Sequence, residues 1–176
     1  MKNILINSLL AGVVMITVSL VFHFIKPSLN FNFMLSILTS LIIYLFFLIR
    51  AGLQQRKRLG GFIGFGEVFV SSIAIYTIVS FIAVTFSYIL IKLNPELVEF
   101  MKESSNQMNE SVMGMTGMSK EQIELAIEEA NETVDPNQFN SISISLMGWL
   151  GGVIFPGLLY ALIASLITKK KDKSLQ

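Results

Sequence analysis

The octapeptide Gly60-Gly61-Phe62-Ile63-Gly64-Phe65-Gly66-Glu67 stands between a basic cluster, Arg56-Lys57-Arg58, and a long apolar run beginning at Val68. A glycine-rich segment ahead of a helix has two readings. It is a loop that cradles phosphate, or a bend where the chain meets a lipid surface. A phosphate loop of the Rossmann or Walker kind follows a strand, and Walker A closes on Gly-Lys-Ser/Thr. The residues ahead of Gly60 run Gln54-Gln55-Arg56-Lys57-Arg58-Leu59, polar and basic where a strand is needed, and Glu67 occupies the place of a Walker lysine. The bend is the better reading. Gly60, Gly61, Gly64 and Gly66 supply unusual dihedrals, and Phe62, Ile63 and Phe65 place aromatic and apolar groups at headgroup depth. Glu67 then caps the positive end of the next helix, a placement worth roughly 0.3–1 kcal/mol.

Composition points to the same environment. The chain of 176 residues is 53% apolar and only 14% charged, outside the usual balance of a soluble domain. A net charge of +1 provides no basic field for nucleic acid. With no cysteine and one histidine, His23, thiolate metal sites, disulfides and cysteine nucleophiles are excluded and catalytic groups are few.

A helix needs roughly 20 apolar residues to cross a bilayer core. Four stretches qualify, at about 4–25, 31–49, 68–91 and 142–167, and none carries lysine, arginine, aspartate or glutamate in its interior. The first is too long for the apolar part of a signal peptide and lacks a small-x-small cleavage site, so it reads as a retained span. Pro27 stops it, and the short turn Lys26–Asn30 makes the first two spans an antiparallel hairpin. Lysine and arginine near span ends stay on the cytoplasmic side. Lys2, Arg50, Arg56, Lys57, Arg58, Lys169, Lys170, Lys171 and Lys173 then share one face, against Lys26, Lys92, Lys102 and Lys120 on the other. Both termini are therefore expected in the cytoplasm.

The order of short hairpin, basic connector, glycine-phenylalanine-glutamate element, acidic loop and a Leu-Leu-Tyr-Ala-Leu-Ile-Ala-Ser span ending in lysines resembles a bacterial membrane-protein family, domain of unknown function 4199. The resemblance covers nearly the whole chain. It implies a bacterial inner membrane and four helices, and it transfers no catalytic residue.

Residues 94–140 form an acidic extramembrane loop with Glu96, Glu99, Glu103, Glu110, Glu121, Glu124, Glu128, Glu129, Glu132 and Asp135. One helix is expected from Pro95 to about Met108, with Leu97, Met101 and Met108 on one face. A second begins at the capping box Ser119-Lys120-Glu121-Gln122 and ends at Asp135-Pro136. Ile123, Ile127, Ala130 and Val134 share its apolar face, a candidate docking surface for an envelope protein. The glutamates lack the spacing of a calcium loop. The methionines of Met113-Gly114-Met115-Thr116-Gly117-Met118 fall between the helices; thioethers suit copper(I), yet no histidine or cysteine joins them, and flexible filling is the simpler reading.

In the fourth span Gly148 and Gly152, then Gly157, Ala161 and Ser165, recur at four-residue spacing, a surface for close helix packing. Ser8 with Gly12, and Ser80, Ala83 and Ser87, are candidates for the facing surfaces. Pro156 between the two sets should kink the helix, and Trp149 suits an interfacial anchor. Intramembrane charges, the usual mark of ion paths, are missing at depth.

The sequence therefore describes an all-α membrane protein, a single integral domain over 1–176, with the lipid bilayer as its partner and no cofactor, no metal and no catalytic residues. The expected role is a non-catalytic accessory, scaffold or envelope-interaction subunit. The alternative is a small passive channel or transporter subunit, a homo-oligomer opening at Pro156, Gly151 and Gly152, with Ser72, Tyr76, Ser80 and Ser87 along the path.

Overall fold

The computed structural model describes residues 2–133, 149–151 and 153–170. Among them are six α-helices: α1 Lys2–Ile25, α2 Phe33–Arg58, α3 Phe65–Leu93, α4 Leu97–Met115, α5 Lys120–Thr133 and α6 Leu158–Thr168. A 3-10 turn, Pro27–Phe31, joins α1 to α2, and a π-helical turn, Val153–Gly157, leads into α6. Four helical segments are long and apolar enough to cross a membrane: Lys2–Ile25, Met34–Arg58, Phe65–Leu93 and Trp149–Thr168. Among the described residues no strand occurs, only an isolated antiparallel bridge between Ile63 and Lys170. This is a multi-pass, all-helical membrane protein.

Local chemistry sets where each helix starts and stops. Asn32 caps α2 by accepting the Leu35 N–H at 3.0 Å through its side chain. The helix runs past Ile49, where apolar patterning places the end of the span, because Gln54, Gln55, Arg56, Lys57 and Arg58 are good helix formers. The expected basic connector is thus the last two turns of α2. Gly60 and Gly61, at φ +77° and +98°, then reverse the chain in a conformation that favours glycine. Likewise α3 begins at Phe65 and lasts to Leu93, longer at both ends than the apolar run.

Outside the spans, α4 reaches Met115 instead of stopping near Met108, so Met113 and Met115 are helical and not part of a connector. The terminator is Gly117, at φ +81°. The box at Ser119 is formed in both directions: Gln122 Oε1 accepts the Ser119 N–H at 3.0 Å, and Ser119 Oγ accepts the Gln122 N–H at 3.3 Å.

Helices α1 and α6 each pack against both α2 and α3. The shared core holds Ala11, Tyr44, Leu48, Ile75, Val79 and Tyr160. A second cluster, Leu90, Ile91 and Leu97, with Phe31 and Met101 against it, seats the start of α4 on the Pro27–Phe31 turn. Outward faces carry Leu9, Val13, Leu38, Phe46, Val70 and Leu159 in exposed positions, an arrangement suited to lipid and not to water.

Candidate functional site

At the basic end of the bundle, the glycine bend grips the end of α6. Ile63 and Lys170 exchange two backbone hydrogen bonds, at 2.9 and 3.0 Å. Arg56 Nη1 donates to the Thr168 carbonyl at 3.3 Å, satisfying an acceptor that a helix C-terminus leaves open. The Lys169 and Lys170 ammoniums lie 6.0 and 5.6 Å from the ring centroids of Phe65 and Phe62. Glu67 Oε2 accepts the Gly64 N–H at 3.3 Å, closing the first turn of α3. Gly64 has an ordinary φ of −73° and Gly66 lies inside α3, so the unusual dihedrals expected at four glycines are confined to Gly60 and Gly61.

Close packing concentrates on the buried face of the fourth span. Gly157, Tyr160, Ala161, Ala164, Ser165 and Thr168 are all buried there. A Cβ placed on Gly157 would come within 2.7 Å of the Tyr76 ring, and one on Gly52 within 2.9 Å of Thr168 Oγ1. The Ser165 and Thr168 hydroxyls donate back to the Ala161 and Ala164 carbonyls, so this polar pair adds no unsatisfied group at depth. Pro156 sits within the π turn, which relieves the missing donor and the ring clash that proline brings to a helix. Gly12 meets Ile82 of α3, not the fourth span. Gly148 and Gly152 lie outside the described residues.

Sequence patterning missed what meets at the centre. Tyr44, Tyr76 and Tyr160, one from each of α2, α3 and α6, bring their rings together with centroids 4.4, 5.7 and 5.6 Å apart. All three are about 95% buried, at 5%, 5% and 6% exposure. Ala11, Ile43, Phe47, Leu48, Ile75 and Val79 pack in the same buried cluster. Its chemistry is that of aromatic packing with polar tips, a fastening of three helices. Two other polar contacts were equally hidden. Asn7 Nδ2 donates to Gln54 Oε1 at 2.9 Å, tying α1 to α2. Trp149 Nε1 donates to Ser80 Oγ at 2.9 Å, and its ring meets Phe81 edge-on. Ser80 lies fifteen residues beyond the start of α3, about 22 Å along the helix. Trp149, at the start of the Trp149–Thr168 segment, is therefore also tied to a neighbouring helix through its indole N–H.

Two further expectations need correction. Ser72, Tyr76 and Ser80 are 1%, 5% and 8% exposed, so three of the four groups assigned to a path between subunits are turned into this chain's own packing. Ile123 is 8% exposed and Ile127 half-buried, so this side of α5 is not an open docking face; the Ala130 side chain lies outside the described residues. The exposed apolar side chains of the α4–α5 pair are Met108, Val112, Met115, Met118 and Leu125. Among the described residues no group of three or more histidines, aspartates or glutamates is placed to hold a metal ion.

Helical spans packed through glycine and tyrosine, with the basic residues gathered at one end, define a polytopic α-helical membrane protein. More narrowly, residues 7–170 match the family model described as protein of unknown function (DUF4199), and the chain belongs to that family. No curated protein and no solved structure matches the chain.

Proposed function

We propose that this protein is a non-catalytic accessory or scaffold subunit of a bacterial inner membrane, which presents the α4–α5 hairpin outward to a protein partner of the envelope. One observation carries the reading. The apolar face of α4 is longer than the surface that covers it. Leu97 is buried and Met101 half-buried where the helix meets the Pro27–Phe31 turn, but further along the same face Met108, Val112 and Met115 are 43%, 53% and 87% exposed. Residues at this spacing form one stripe, and methionine suits a surface that adapts to its partner. The glutamates beside it keep the uncovered stripe soluble and favour a partner with basic groups at the rim.

The orientation rests on the basic residues of the opposite end, whose gathering at one end supports a cytoplasmic position for both termini. The channel alternative gains no support from the burial of Ser72, Tyr76 and Ser80. A photocrosslinking residue placed at Val112 or Met115 in living cells tests the docking reading against Glu110 on the opposite face. The expected result is one discrete protein adduct from Val112 and Met115 and none from Glu110. Lipid adducts alone, or equal capture from all three positions, would replace docking by a helix resting on the membrane surface or on nothing.

A further inference from the structure

A cavity of about 340 Å³ opens between α1, α2 and α3, at the end of the bundle that carries the Pro27–Phe31 turn. Its volume lies in the range of sites that hold small molecules, roughly 300–1,000 Å³. The lining changes character with depth. The residues farthest from the helix ends, Met15, Ile16 and Ala83, are apolar, whereas the polar groups of Asn30, Ser36, Thr39 and Ser87 all lie nearer the Pro27–Phe31 turn, interleaved with apolar side chains such as Phe22 and Ile37. No charged side chain lines the cavity among the described residues.

The polar groups at its mouth have hydrogen-bonding capacity left over. Asn30 accepts from Ser19 Oγ at 3.0 Å and donates to the Ser19 carbonyl at 3.0 Å, while its own carbonyl accepts from Ser36 Oγ at 3.1 Å. A carboxamide has two N–H donors and two acceptor lone pairs, so one of each remains. Hydroxyls in the spans commonly return to their own helix, as Ser8, Ser71, Ser165 and Thr168 do. Thr39 and Ser87, which both line the cavity, make no such bond. Thr39 is half-buried and Ser87 exposed, so both hydroxyls are open to a ligand that carries oxygen atoms at their level.

We propose that this cavity binds an uncharged amphiphile, a lipid with hydroxyl and ester oxygens at its head and hydrocarbon below, of the diacylglycerol type. The apolar floor takes the chain. The hydroxyls and the Asn30 carboxamide take the oxygens, and the missing cation leaves a phosphate group without a counter-charge. A site of this kind does not depend on the docking role of the hairpin.

Full-length protein in vesicles of neutral and anionic phospholipid, doped with photoreactive diacylglycerol or photoreactive phosphatidylglycerol, provides the test. Adducts are mapped by mass spectrometry. The expected result is diacylglycerol labelling concentrated at residues 15–22, 36–40 and 83–87, suppressed several-fold by excess unlabelled diacylglycerol but not by phosphatidylglycerol. Ala83→Trp, which fills the floor, should abolish that labelling; Ser87→Ala, a milder change, should weaken it while the helical circular dichroism stays unchanged. Labelling spread evenly over the lipid-facing helices, or competed equally by both lipids in the unsubstituted protein, would overturn the proposal.

Discussion

Glycine does two separate jobs in this chain, and substitution distinguishes them. At Gly157 the missing side chain makes room for the Tyr76 ring, with which a Cβ would clash at 2.7 Å. At Gly66 a Cβ would meet nothing within 4 Å, and the residue sits in the first turn of α3. An aromatic ring held between Tyr44 and Tyr160 has little freedom to retreat. Gly157→Ala is therefore expected to destabilise the protein by about 1–3 kcal/mol, the range for overpacking. Gly66→Ala should leave stability unchanged or raise it by up to about 1 kcal/mol, through helix propensity. Unfolding of both variants in detergent micelles against the unsubstituted chain measures the difference; equal stability of the two would mean that α6 does not approach Tyr76 this closely. Tyr44, Tyr76 and Tyr160 could not be matched from sequence. In a membrane helix both the lipid face and the packed face are apolar, so pattern alone does not set the rotation of each helix about its axis.

Helix existence was legible and helix ends were not, for one physical reason. Hydropathy marks where the lipid stops, whereas capping and backbone conformation mark where the helix stops. For α2 the two differ by the polar turns from Gln54 to Arg58, and for α4 the run through Val112 to Met115 continues until Gly117 allows a positive φ. The amphipathic pattern around Ile123 located an apolar side of α5 correctly as apolar, but carried no information about whether anything covers it. The glycine bend shows the same division. Its role as a turn followed from composition, while its pairing with Lys170 joins residues far apart in the chain. That pairing depends on the left-handed conformation at Gly61, φ +98°, which a β-branched residue adopts only at a cost of about 1–2 kcal/mol. Gly61→Val should accelerate amide hydrogen exchange at Ile63 and Lys170 while Val79, at the core of α3, keeps its protection. Unchanged exchange at Ile63 and Lys170 would show that the bend does not hold the end of α6.

For the whole molecule, charge and packing describe one object. The bundle is fastened at its centre by tyrosine, at one end by the glycine bend, and at the other by α4 seated on the Pro27–Phe31 turn. Basic side chains gather at the bend end and glutamates at the hairpin end, the asymmetry from which the orientation is proposed. The chain contains no cysteine, so single introduced thiols report without background. Glu121→Cys on α5 and Lys57→Cys at the end of α2 both lie at exposed or half-exposed positions outside the apolar stretches. The most direct measurement is their labelling by a membrane-impermeant maleimide in intact and in permeabilised cells. Four crossings with an outward hairpin predict that Glu121→Cys reacts in intact cells and Lys57→Cys only after permeabilisation. Reaction of both thiols from the same side would contradict the account.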